Sequence, residues 1–367
     1  MGHVIAQIWE VLTRRVDSFL FGCALAIVGV GLITLFSAAD QSVSRVTTQA
    51  MSFGLALVLM WFVANVPPQT LARAAVPLYV LGVLLLVGVA LFGTVVNGSR
   101  RWLNLGVARI QPSELMKVAL PLMLAWYFQK FEGRIRWRDF VFAGVLIVVP
   151  VVLIKRQPDL GTALMIAASG FYVLYLAGLS WKIIIGLTAV GAAAAPLMWS
   201  LLHDYQRERI LTFIDPSRDP LGAGYHSTQA SIALGSGGIV GKGWLNGTQT
   251  HLDFLPEKHT DFIFAVFGEE FGLIGSAVLL LLYMLLVGRA MVITANASTL
   301  FGRLLAGAVT LMFFTYAFVN MAMVSGVLPV VGVPLPLVSY GGTALVSLFI
   351  GLGVLMSVQA HRKLVNT

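Results

Sequence analysis

The chain has 367 residues, 58% of them hydrophobic and only 11% charged, about half the charge of an ordinary soluble domain. The formal net charge of +8 does not mark a nucleic-acid binder, because the cations are scattered between apolar runs and form no stripe. With a mean hydropathy of +0.88 and a single cysteine, Cys23, the composition argues against a soluble enzyme and rules out an intrachain disulfide.

Ten apolar runs are expected to be membrane helices, at 18–38, 48–66, 75–96, 113–129, 139–155, 160–178, 182–201, 262–288, 303–325 and 337–359. Period-two alternation is absent, which argues against a membrane barrel. The first run follows MGHVIAQIWEVLTRR, which offers no small-residue cleavage site. It reads as a retained helix and not as a cleaved signal.

The fourth run opens with QPSELMK (111–117). Pro112 suits a first helical turn, and Glu114 and Lys117, three apart, share a face. They form either a structural ion pair or a pair that also shapes a polar cavity. The sixth opens with KRQPDLGTA (155–163), where Asp159 either caps the helix or joins a site.

About 60 residues, 202–261, separate the seventh and eighth runs, far above ordinary loop length. They hold seven of the sixteen acidic residues, Asp219 and Asp253 among them. STQASIALG (227–235) spaces its apolar residues as a short interfacial helix does. GSGGIVGKG (235–243) is not a phosphate loop: Ser236 stands where the first glycine belongs and Gly243 where Ser or Thr belongs. Turn-forming glycines, or backbone approaching a large ligand, fit better.

LPEKHTDFIFAVFGEEFG (255–272) leads into the eighth run. Thr260 or Asp261 caps that helix, or Asp261 does chemistry at the membrane edge. Asp261, Ala265 and Glu269 fall on one face, with Glu269 about 12 Å deeper. An acidic group inside an apolar run is a site candidate by default. His259 is a metal ligand, a tuner of Asp261, or an ordinary loop histidine. Last, residues 320–342 carry Pro329, Pro334, Pro336, Asn320, Ser339 and Tyr340. This reads as a broken stretch lining a cavity, or as a tight loop between the last two spans.

Ten spans put both termini on one side. With that side inside, the short inner connections and the tail hold twelve Lys and Arg, Arg14 and Lys363 included, against six in the short outer ones. Both ends are therefore expected in the cytoplasm. The 202–261 loop, and the helix starts at Glu114, Asp159 and Asp261, are expected outside, with Arg100, Arg101, Arg109, Lys155 and Arg156 on the same face.

Taken together, QPSE, QPDLG, LPEKHTDFIFAVFGEEFG and LPVVGVPLPLVSYGG, with RWLNLG (101–106) and DPLGAGYH (219–226), resemble the SEDS family (shape, elongation, division, sporulation) over essentially the whole chain. Its rod-shape-determining branch is the most similar. The resemblance implies one integral membrane domain over 1–367, ten helices and a large extracytoplasmic loop at 202–261 in a bacterial inner membrane. It implies a peptidoglycan glycosyltransferase that polymerises lipid II, working beside a class B penicillin-binding transpeptidase in the elongation machinery. It puts the family's essential aspartate on Asp261, its fourth-helix glutamate and lysine on Glu114 and Lys117, and its QPDLG aspartate on Asp159.

Supposing that substrate, Asp261 is expected as the general base toward the acceptor hydroxyl. The pyrophosphate leaving group needs charge neutralisation, from Arg101, Arg109, Lys117 or a divalent cation such as Mg or Mn. Two rival readings remain: a flippase or transporter of lipid-linked precursors, which shares broken helices and buried charges, and a non-catalytic scaffold of the cell-wall machinery.

Overall fold

A computed structural model of the chain describes residues 15–96, 99–104, 109–157, 159–202, 204–215, 223–251, 255 and 257–362. Arg14, Pro158, Asp219, Asp253 and Lys363, used in the sequence reading, lie outside the described residues.

Some of the helices open on a side-chain cap and others do not. Helix α1 (Ser18–Ala38) starts at Asp17, whose carboxylate accepts from the Leu20 amide at 2.9 Å. Asp17 also receives Arg289 at 2.6 Å. Burial alone would raise its pKa, but Arg289 and the Leu20 amide outweigh that and hold Asp17 below the usual carboxylate range. Helices α2 (Val43–Asn65) and α3 (Pro68–Phe92) follow, the latter opening on a proline that needs no amide partner.

A small sheet comes next, with β1 (Thr94–Val96), β2 (Ser99–Asn104) and β3 (Arg109–Ile110) in antiparallel order. Then come α4 (Pro112–Lys130), α5 (Trp137–Lys155), α6 (Leu160–Leu176) and α7 (Trp181–Leu201). Helices α8 (Asp204–Ile214), α9 (Ala223–Ser236) and α10 (Thr248–His251) belong to the long segment before α11 (Ile263–Ala295), α12 (Leu300–Val324) and α13 (Gly342–Ala360).

Seven of these helices, α1, α2, α3, α5, α11, α12 and α13, are long and apolar enough to cross a membrane. The chain is an all-α polytopic membrane protein with one minor sheet. Helix α4 falls short of that standard and carries Glu114, Lys117 and Lys130. Helices α6 and α7 supply only shorter apolar stretches.

The core is built from α12, α13, the N-terminal half of α11 and the inward faces of α1 and α4. Close approach needs glycine at a few points. A Cβ on Gly353 would stand 2.6 Å from the Met60 carbonyl oxygen, so glycine lets α13 lie against α2. Helix α7 buries none of its described residues and lies at the periphery.

Helix α11 is broken. Gly272 has φ 65° and ψ −162° in mid-helix, a conformation open essentially to glycine alone. Such a break frees backbone groups that lipid cannot satisfy. Residues 237–243 satisfy them. The amides of Lys242 and Gly243 donate to the carbonyls of Glu269 and Glu270, both at 3.0 Å, and the amides of Leu273 and Ile274 donate to the carbonyls of Gly238 and Ile239 at 3.0 and 3.1 Å. Here lies the reason for the glycines of GSGGIVGKG. A Cβ at Gly237 would stand 2.1 Å from the Gly268 carbonyl oxygen, and one at Gly241 2.1 Å from that of Glu270. The backbone does approach something closely, but the partner is the broken helix.

Candidate active site

The three acidic helix starts converge. Glu114, Asp159 and Asp261 line one cleft of about 510 Å3, together with Lys117, Arg101, Tyr340, Tyr316, Gln111 and Trp102. Each carboxylate is delivered by a different device.

Glu114 lies in the first turn of α4 and contacts Lys117 at 2.7 Å. Its second oxygen accepts from the Ser347 hydroxyl of α13 at 2.6 Å. The Lys117 ammonium also sits 5.0 Å from the centroid of the Tyr316 ring. Both side chains of the pair are about nine-tenths buried, at 9% and 12% exposure for Lys117 and Glu114. Removing one partner leaves an uncompensated buried charge and costs about 3–5 kcal/mol. Glu114→Ala is therefore expected to unfold well below wild type in a thermal melt. Glu114→Gln with Lys117→Met is expected to recover most of that loss in the same melt.

Asp159 caps α6 by accepting from the Thr162 amide at 3.1 Å, and its other oxygen lies 3.5 Å from Arg101 Nε on β2. Capping and site membership, alternatives in the sequence, coexist in one residue. The sheet, which the sequence reading did not anticipate, is what carries Arg101 and Trp102 to the cleft.

Asp261 is held by its backbone. Asn320 Nδ2, fully buried on α12, donates to the Asp261 carbonyl and to the Val333 carbonyl, both at 2.7 Å. The Ser339 hydroxyl donates to the Thr260 carbonyl at 2.7 Å and accepts from the Leu335 amide at 2.8 Å. The Tyr340 amide donates to the His259 carbonyl at 2.9 Å. The proline-rich 329–341 stretch is thus the wall against which the aspartate turn is fixed. Neither expected cap serves: Phe262, one residue beyond Asp261 and two beyond Thr260, takes the cap position of α11 with no side-chain cap bond, and the Thr260 hydroxyl turns back to Glu257 Oε2 at 2.8 Å. A Cβ on Gly332, which has φ +75°, would lie 3.4 Å from Asp261 Oδ2.

Of the remaining predicted residues, His259 stands beside the cleft residue Tyr340, with the two rings 5.9 Å apart. Burial, followed by the Arg45 cation, lowers the His259 pKa; Lys258 acts in the same sense, while Glu257 and Asp40 oppose it. A histidine lowered in the fold contributes stability that is present above its unfolded value near pH 6.5 and is lost as pH falls through the folded value. Acidification from pH 8 to 5 is thus expected to lower the melting temperature of wild type more than that of His259→Gln.

Arg109 lies outside the polar cleft and lines an adjoining apolar groove of about 600 Å3 between α2, α4 and α13. Ser339 lies behind the cleft wall beside Tyr340.

Glu269 is not brought to the cleft. It is fully buried and receives Lys242 Nζ at 2.8 Å, the Gln249 amide at 2.9 Å and the Thr250 hydroxyl at 3.0 Å. Its helical register with Asp261 holds, but its charge anchors the 242–250 turn. Among the described residues, no group of three or more His, Cys, Asp or Glu is placed to hold a metal ion.

Sequence reasoning missed Tyr316 and Trp102, and named Asn320 only as a source of hydrogen bonds. The available signal was Tyr316 and Asn320 four apart on one helix face in an otherwise apolar run.

A sequence profile of the FtsW/RodA/SpoVE family, described as cell cycle proteins, matches residues 15–364. The chain belongs to the SEDS family. Among curated SEDS relatives, the peptidoglycan glycosyltransferase MrdB of Escherichia coli K12 is 48% identical over 353 residues, covering 96% of this chain and 95% of that protein. A probable peptidoglycan glycosyltransferase FtsW of Aeromonas salmonicida is 36% identical, covering 94% and 90%.

Two solved structures carry the likeness into three dimensions. A chain from a peptidoglycan synthase complex, described as coordinating polymerization and crosslinking, superposes with a TM-score of 0.83 at 34% identity over 95% of this chain and 99% of that one. The rod shape determining protein RodA of Thermus thermophilus gives 0.71 at 30% identity over 95% and 97%.

Proposed function

We propose that this SEDS chain is a peptidoglycan glycosyltransferase that polymerises lipid II into glycan strands for cell elongation. The observation that carries the reading is the joining of two unlike cavities. The charged cleft that holds Asp261 shares Ser52, Gln111, Glu114, Gly342 and Thr343 with the apolar groove beside it. A substrate with a sugar pyrophosphate at one end and a polyprenyl chain at the other fits that pair, and a water-soluble sugar nucleotide has no use for the groove.

In the proposed reaction the acceptor sugar hydroxyl attacks the anomeric carbon of the growing strand. The carbon–oxygen bond to the pyrophosphate breaks, and configuration inverts to a β-1,4 link. Asp261 takes the hydroxyl proton. Arg101 and Lys117 face the departing pyrophosphate, and a divalent cation bound there would add to the same neutralisation. Glu114 and Asp159 hold those two cations in place. Oxocarbenium-like character at the sugar is favoured by a nearby carboxylate.

The same reading places ten spans in a bacterial inner membrane, with α4, α6 and α7 completing the seven longer ones. Both termini are cytoplasmic, and residues 202–261 and the cleft are outside. The solved relative from a synthase complex supports a crosslinking partner, a class B penicillin-binding transpeptidase.

The test is purified protein in detergent, given fluorescent lipid II, with products resolved on a gel. Polymer is expected. A flippase or a scaffold would leave lipid II unconverted, because transport has no meaning without a membrane.

A further inference from the structure

A second cleft of about 510 Å3 lies between α8, α9 and the turn after α12, and shares no lining residue with the Asp261 cleft. Among the described residues its polar lining is all hydroxyl, from Thr212, Ser227, Thr228, Ser231 and Ser325, and no charged side chain contributes. The rest is apolar, with the half-exposed ring of Phe213 the largest element.

The Thr212 hydroxyl is the informative group. Thr212 is 3% exposed, and its Oγ1 has no hydrogen-bond partner among the described residues. A buried hydroxyl left unmade is costly, and Thr212 lines the cleft, so rotation of its side chain would turn that hydroxyl to a ligand there.

We infer that this cleft is a glycan subsite, binding uncharged sugar units of the elongating strand some way from the bond-forming centre. This rests on the polymerase reading. The lining chemistry selects the ligand. The described lining offers no cation to a pyrophosphate and no charge to the ionised groups of a stem peptide. Neutral sugars offer hydroxyl and amide groups to Ser and Thr, and apolar ring faces to Phe213.

Position agrees with chemistry. Val330 lines this cleft and Gly332 lines the other, so one stretch of backbone forms a wall of each. Two residues of chain span at most about 7 Å, a gap that a few linked sugars cross. Holding the strand there would keep it attached between additions, and so would set product length without touching the chemistry of a single addition.

The experiment uses the full chain in detergent. Phe213→Trp supplies a fluorescent reporter, and the probe is a hexamer of β-1,4-linked N-acetylglucosamine. A saturable change in emission is expected, absent in wild type. Adding Thr212→Val, or Ser231→Leu, to the reporter protein is expected to weaken binding about tenfold.

In polymerisation, Ser231→Leu lies on an exposed helix position. It is expected to leave the initial rate of lipid II coupling within about twofold while shifting products to short strands. Normal polymer from wild type, with no emission change in the reporter and no length change in Ser231→Leu, overturns the subsite and spares the polymerase. Hexamer binding by a wild-type chain that makes no polymer would instead reject the polymerase reading and leave a sugar site standing.

Discussion

Replacement of Asp261 by Asn is expected to lower lipid II polymerisation by about 10²–10⁴-fold, the range of a lost general base, with yield and melting temperature close to wild type. The substitution keeps size and loses the proton acceptor. It should fold, because the contacts that fix this turn are made by the backbone: Asn320 to the Asp261 carbonyl and Ser339 to the Thr260 carbonyl. Asn320→Leu is the complementary variant. It leaves the carboxylate in place, removes the backbone clamp, and is expected to lose activity together with stability. Normal polymerisation by folded Asp261→Asn would reject the base assignment.

Gly272→Ala is expected to yield little folded protein. Its φ of 65° and ψ of −162° cost a residue with a side chain about 1–3 kcal/mol. The added Cβ would also stand 2.3 Å from the Gly241 amide nitrogen and 2.7 Å from the Ile239 carbonyl oxygen. Relief of those clashes separates the two backbones and gives up the four hydrogen bonds that close the break, each worth about 0.5–1.5 kcal/mol. The sum is comparable with the whole stability of a typical domain. Gly288→Ala is the control: it lies on the same helix, nothing stands within 4 Å of its would-be Cβ, and it should melt at or above wild type. Size-exclusion profiles and thermal melts in one detergent decide both.

Each of the ten apolar runs contains a helix, because hydropathy over some 20 residues is a strong local signal. The boundaries that moved did so for local reasons. The third helix reaches back to Pro68 past Arg73, since a proline start is tolerated and the arginine sits on an outward face. The last begins at Gly342 and not near 337, because Pro334, Pro336 and a positive φ at Leu337 keep the preceding chain irregular. The small sheet was invisible, its strands being two to six residues long and too short for alternation to register.

Within the site, the acidic helix starts were legible as individual anomalies. Their partners were not. Glu114 meets Ser347 across 233 positions and Asp261 meets Asn320 across 59, and no pattern confined to one window encodes a contact between windows. Glu269 illustrates the converse: its place inside an apolar run marked it as a site candidate, and nothing in that run could say that its partner is Lys242.

That pairing bears on how such chains diverge. Glu269 is fully enclosed, and Lys242 is the cation that balances it. Loss of Lys242 alone strands the Glu269 charge where water cannot reach it, whereas Lys242 itself keeps access to solvent. The two positions should therefore covary among homologues, and a lineage that swaps both for a neutral couple should be found more often than one that has lost Lys242 alone.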